Sequence, residues 1–115
     1  LERDPLPVAR YDLIVTSMTM HHVADTEKVV RAFRDLLHPG GKLCVADLDT
    51  EAGIFHSPEA ASSVYHHGFD RDRLKGQLAG AGFTKMHDVT AHTVHKPVEG
   101  GGVRAFPVFL ITATR

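Results

Sequence analysis

Cysteine is nearly missing from these 115 residues: Cys44 stands alone, so no disulfide can form within the chain. A reducing, cytoplasmic setting is the default expectation for such a sequence. Long apolar runs are also lacking; none reaches the roughly 18–20 residues that a membrane-spanning helix requires. An excess of charge of one sign is absent, because 13 Lys and Arg against 14 Asp and Glu leave a net charge of −1. That balance gives no electrostatic footprint for nucleic acid or for an anionic membrane surface. The opening Leu1-Glu2-Arg3-Asp4-Pro5 has no apolar signal-peptide core and no initiator Met, so the reading is a fragment, a processed product or a trimmed chain. Nine histidines invite a metal reading, but no H-E-x-x-H and no Cys/His spacing is present, so no metal site is predicted. No glycine-rich loop lies between a strand and a helix; Gly100-Gly101-Gly102 precedes a strand instead.

What is present can fold, since 43% of the residues are hydrophobic. Tyr11 to Ser17 reads as a strand buried on both faces, apolar and rich in β-branched residues. Asp25 is an N-cap, and Val29, Val30, Phe33, Leu36 and Leu37 form one apolar helix stripe behind it. His38-Pro39 stops that helix and Gly40-Gly41 makes a turn into a second strand, Lys42 to Asp49. Strand, helix, strand with short links is a βαβ unit, which predicts parallel strands and a right-handed crossover. A short helix is read over Pro58 to Tyr65, and a further one starts at the Asp70 cap and stops at Gly82. Thr84 to Thr93 and Phe106 to Thr114 are strands; the Val98 to Arg104 loop between them has no room for a helix, so they are antiparallel neighbours.

Tyr11-Asp12-Leu13-Ile14-Val15-Thr16-Ser17-Met18-Thr19-Met20-His21-His22-Val23 resembles the fourth strand and following loop of class I S-adenosylmethionine-dependent methyltransferases. Leu37-His38-Pro39-Gly40-Gly41-Lys42-Leu43 is similar to that family's turn into its fifth strand. Gly68-Phe69-Asp70 with Ala81-Gly82-Phe83 resembles the later helix and the entry to the sixth strand, and Phe106 to Thr114 the antiparallel seventh. The resemblance implies an α/β fold: a partial Rossmann-like sheet ordered 4-5-7-6 in the family's scheme. It also implies that residues 1–115 are the C-terminal part of one domain whose cofactor-binding half is absent. The first strand then lies at an open apolar edge, which predicts self-association through it.

By the same resemblance the cofactor is S-adenosylmethionine, with Thr16, Ser17 and Met18 along its methionine portion and a small molecule as methyl acceptor. Ligands in open α/β sheets sit beyond the carboxyl ends of the strands, here Thr16 to His22 and Asp47 to Thr50. His21 is the candidate catalytic residue, because a histidine titrates near neutrality and can take a proton. His22, Asp47, Tyr65 and His66 are candidates for acceptor binding, with Asp49 and His67 beside them. Cys44, in mid-strand, reads as packing. A non-catalytic module that dimerises or docks is the alternative function. A nucleotide-binding α/β domain is disfavoured, because the last antiparallel strand has no counterpart there.

Overall fold

The computed structural model describes residues 9–50, 66–98 and 100–115. The order is β1 (Tyr11–Ser17), a 3-10 turn (Met20–His22), α1 (Thr26–Leu36), β2 (Leu37–Leu48), α2 (Arg71–Gly80), β3 (Thr84–Pro97) and β4 (Val103–Thr114). The four strands form one sheet in the order β1-β2-β4-β3. β1 and β2 are parallel, and β4 runs antiparallel to both its neighbours. This is the expected order and polarity. The short helix read over Pro58 to Tyr65 lies outside the described residues.

Local chemistry accounts for the helix ends. Asp25 accepts the Lys28 backbone N–H at 3.0 Å and Asp70 that of Arg73 at 3.1 Å, each satisfying an orphan donor of the first turn. At the end of α2, Gly82 takes φ +100° while its N–H bonds Ala79 O and the Phe83 N–H bonds Leu78 O. This is a Schellman close, which favours glycine at the left-handed position.

β2 begins five residues earlier than the sequence pattern suggests, at Leu37 directly after α1. The step from Tyr11↔Leu37 to Leu13↔Lys42 absorbs the extra residues as a bulge. The expected turn residues sit in that bulge. Gly40 has φ +84° and its N–H reaches Arg115 O at 2.9 Å; the Arg115 N–H returns to Gly41 O, so the β4 end straightens what would otherwise be a turn. The β3–β4 hairpin is also longer than expected, with a loop of only Val98 to Gly102.

Both helices cover the same side of the sheet. Val29, Val30 and Phe33 of α1 and Leu74 and Leu78 of α2 pack on Leu43, Val45, Phe109, Ile111 and Ala113. The other side carries no described helix. Ile14 reaches the core, whereas Leu13 and Val15 are 56% and 65% exposed. β1 is therefore half-buried on one face, through Ile14 and Thr16, and not buried on both, because a strand's alternate side chains are covered only where a second layer exists. On that other side Leu48, Phe106 and Val108 are buried in a smaller cluster with Met18 and Ala46.

Candidate active site

The carboxyl ends of β1 and β2 lie side by side, with Thr16 opposite Val45 and Ser17 opposite Ala46. The chain leaves β1 through Met18, whose φ of +55° is rare for a residue with a side chain. Its N–H is held by Ala46 O at 2.9 Å, and the Thr19 hydroxyl donates back to Ser17 O at 3.0 Å. Ser17 and Thr19 are exposed and Met18 is half-buried.

The 3-10 turn that follows is pinned from both sides. His21 is 2% exposed and its Nδ1 lies 2.7 Å from Asp47 Oδ1, at the end of β2. Asp47, with 0% exposure, also accepts the Leu48 N–H at 2.8 Å and the His21 N–H at 3.3 Å. Three polar groups thus converge on one buried carboxyl, satisfying it without water. Where Asp47 is a carboxylate, which can only accept, His21 donates to it through Nδ1–H. From the other side, the His66 N–H donates to His21 O at 3.2 Å, and the His66 Nε2–H to Val23 O at 2.9 Å. His66 also stacks on Phe69 with ring centroids 4.9 Å apart.

The expected site residues thus take different places. Thr16, Ser17, Met18, His21, His22, Asp47 and His66 are brought to one end of the sheet. His22 is exposed, its ring 4.3 Å from that of His21. The carboxylate of Asp47 is turned to its own chain. His66 braces the turn from the start of the segment leading to α2. Tyr65 lies outside the described residues.

Asp49 faces Arg71, which donates to it through Nε at 2.7 Å and Nη2 at 2.8 Å. Arg71 reaches on to Asp88 and Thr90 of β3, and Lys75 donates to Asp88 at 2.6 Å. The Lys75 hydrogen bond, then that of Arg71, holds the Asp88 carboxyl below the usual carboxylate range, and Asp49 in turn raises Arg71. Sequence patterns gave no sign of this network. The close approach of Gly68 to β2 explains how Asp49 meets α2: a Cβ on Gly68 would fall 2.0 Å from Asp49 O.

Beside the pinned turn is a cleft of about 390 Å³ between the starts of α1 and α2, reached by Thr50, His66 and His67. Among the described residues no three His, Cys, Asp or Glu side chains gather as a metal ion would need, and no helix is long and apolar enough to cross a membrane.

A βαβ unit with an antiparallel last strand, in the sheet order β1-β2-β4-β3, is the architecture of Rossmann-like methyltransferase structures. Residues 2–88 match the model of the methyltransferase-domain family, and the chain belongs to that family. It is 43% identical over 63 residues to an uncharacterized methyltransferase of Schizosaccharomyces pombe, a match spanning 50% of this chain and 22% of that protein. The fold is that of the YcgJ protein of Bacillus subtilis (TM-score 0.71, 12% identity, 99% of this chain and 68% of that one). A SAM-dependent methyltransferase of Thermotoga maritima is similar too (TM-score 0.67, 23% identity, 98% and 60%). So is phosphoethanolamine N-methyltransferase 2 of Haemonchus contortus, solved with S-adenosyl-L-methionine (TM-score 0.65, 11% identity, 91% and 33%).

Proposed function

We propose that this chain forms the acceptor side of an S-adenosylmethionine-dependent methyltransferase acting on a small molecule. The observation that carries the reading is the turn after β1, locked to the end of β2 through His21 and Asp47 at 2.7 Å. Bound S-adenosylmethionine would supply the methyl group, transferred in line with loss of the thioether. The protein's task is then to hold donor and acceptor in register and to receive a proton. Exposed Ser17 and Thr19, with Met18 turned between them, fit the polar amino-acid end of the cofactor with an apolar shoulder. No described segment offers a glycine-rich loop for the rest of that molecule. The reading therefore requires further polypeptide, placed along the free edge of β1, to complete the site.

His21 acts in this scheme as a positioning residue, because a ring 2% exposed and bound to Asp47 fixes the turn rather than meeting an acceptor. His22, exposed on the same turn, is the group that faces the acceptor. A second reading, a module that associates through β1, is favoured by the exposure of Leu13 and Val15 on an edge strand.

Calorimetry with S-adenosylmethionine and S-adenosylhomocysteine separates the two. The comparison uses this 115-residue chain and a protein extended upstream of it. Binding by the extended protein alone supports the first reading. Absence of binding by both sinks it and leaves the module.

A further inference from the structure

The cleft beside the pinned turn has its own chemistry. Its floor is apolar, made by the buried side chains of Phe69 and Leu74. Its walls are rich in donors. Thr26, 6% exposed, sits at the start of α1 and its hydroxyl donates to Gln77 Oε1 at 3.1 Å across the two helices. With its oxygen so occupied, the Gln77 amide has its two N–H donors left to offer. Arg73 lines the same space. Its guanidinium has no carboxylate partner among the described residues, in contrast to Arg71 of the same helix, which binds Asp49 and Asp88. The lining carboxylate, Asp70, is turned to cap α2 by accepting the Arg73 backbone N–H at 3.1 Å. Arg73 also borders a second cleft of about 430 Å³ that continues between α1 and α2 past Arg31.

A pocket with an apolar floor, an exposed arginine that has no carboxylate partner among the described residues, and an amide held by Thr26 is complementary to an acceptor-rich, anionic head on an apolar body. We infer that this cleft binds a small molecule bearing a phosphate or carboxylate, with Arg73 as the anion contact and Gln77, held by Thr26, as the second donor. The inference rests on the methyl-transfer reading only in calling that molecule the acceptor. The volume of about 390 Å³ falls within the range of small-ligand pockets.

The test is an NMR titration of the labelled chain with phenyl phosphate, benzoate and benzyl alcohol, without cofactor. The two anions are expected to shift the amides of Thr26, Arg73 and Gln77 saturably, and the neutral alcohol is not. Arg73→Gln should weaken anion binding by about tenfold, the scale of one charge-assisted hydrogen bond. Arg104→Gln, changing an arginine of the β3–β4 hairpin, should leave it unchanged. The tighter of the two anions identifies phosphate or carboxylate as the head group. Equal shifts with benzyl alcohol, equal affinities for Arg73→Gln and the parent chain, or saturable shifts confined to other regions would overturn the inference. Since no cofactor enters the titration, its failure is distinct from a failure to bind S-adenosylmethionine.

Discussion

At the scale of single residues, the turn after β1 depends on a carboxyl held away from water. Asp47 is fully covered and accepts from His21 twice and from Leu48 once. Replacing Asp47 by Asn keeps the shape but removes the charge and presents a donor where acceptors are required. Asp47→Asn should cost about 1–3 kcal/mol, read as a lowered urea midpoint with an unchanged slope. An unchanged midpoint would mean that the pair contributes nothing to the fold. Gly68 is a second such position. With φ +79° and Asp49 O only 2.0 Å from where a Cβ would stand, Gly68→Ala cannot be accommodated without moving β2 or the start of α2. The expected result is a loss of the Phe69 amide's protection in hydrogen exchange, because that N–H now bonds Leu48 O at 2.8 Å.

At the scale of elements, α2 is joined to β3 by ion pairs rather than by a long apolar seam. Asp88 accepts from Lys75 and Arg71, and both depress its pKa. A carboxyl with a native pKa below its unfolded value stabilises the fold above the unfolded value of about 3.9 and loses that contribution as pH falls through the native one. Asp88→Asn should therefore flatten the acid limb of the melting temperature below about pH 4 and change little at neutrality beyond the loss of the pairs themselves. A parallel acid limb in the variant would remove Asp88 from the account. At the other end of α2, the Schellman close predicts that Gly82→Ala costs about 1–2 kcal/mol, since alanine must then adopt a left-handed backbone. Thermal unfolding checks this against Gly80→Ala, where nothing lies within 4 Å of the added Cβ.

For the whole molecule, the decisive feature is asymmetry. Two helices cover one side of the sheet, while β1 is left at the edge with Leu13 and Val15 exposed on the other. Parallel strands are ordinarily buried on both faces, and an apolar edge invites another strand. Val15→Lys should suppress self-association in sedimentation velocity while leaving the circular dichroism spectrum unchanged. Self-association that persists in this variant would place the contact elsewhere.

Most of the described elements were legible in the residues because they rest on local chemistry, while the strand order came from the family resemblance. Asp25 and Asp70 cap by reaching three residues ahead, Gly82 closes by its own backbone freedom, and the loop after β3 is too short for a crossover. The sequence also pointed to the ground after β1 and β2 as the expected site, since parallel neighbours end together and ligands of open α/β sheets lie beyond those ends. It did not determine who binds whom there. The partners His21 and Asp47 are 26 residues apart and Arg71 and Asp49 are 22 apart, so only the register of the folded strands brings them into reach. Likewise β2 starts at Leu37 because Arg115 pairs with Gly40 and Gly41 from the far end of the chain. A strand's alternation says that it has two faces, but not whether anything covers the second one. Exposure of Leu13 and Val15 was decided only by where α1 and α2 came to rest, because burial belongs to the packed layers and not to the strand.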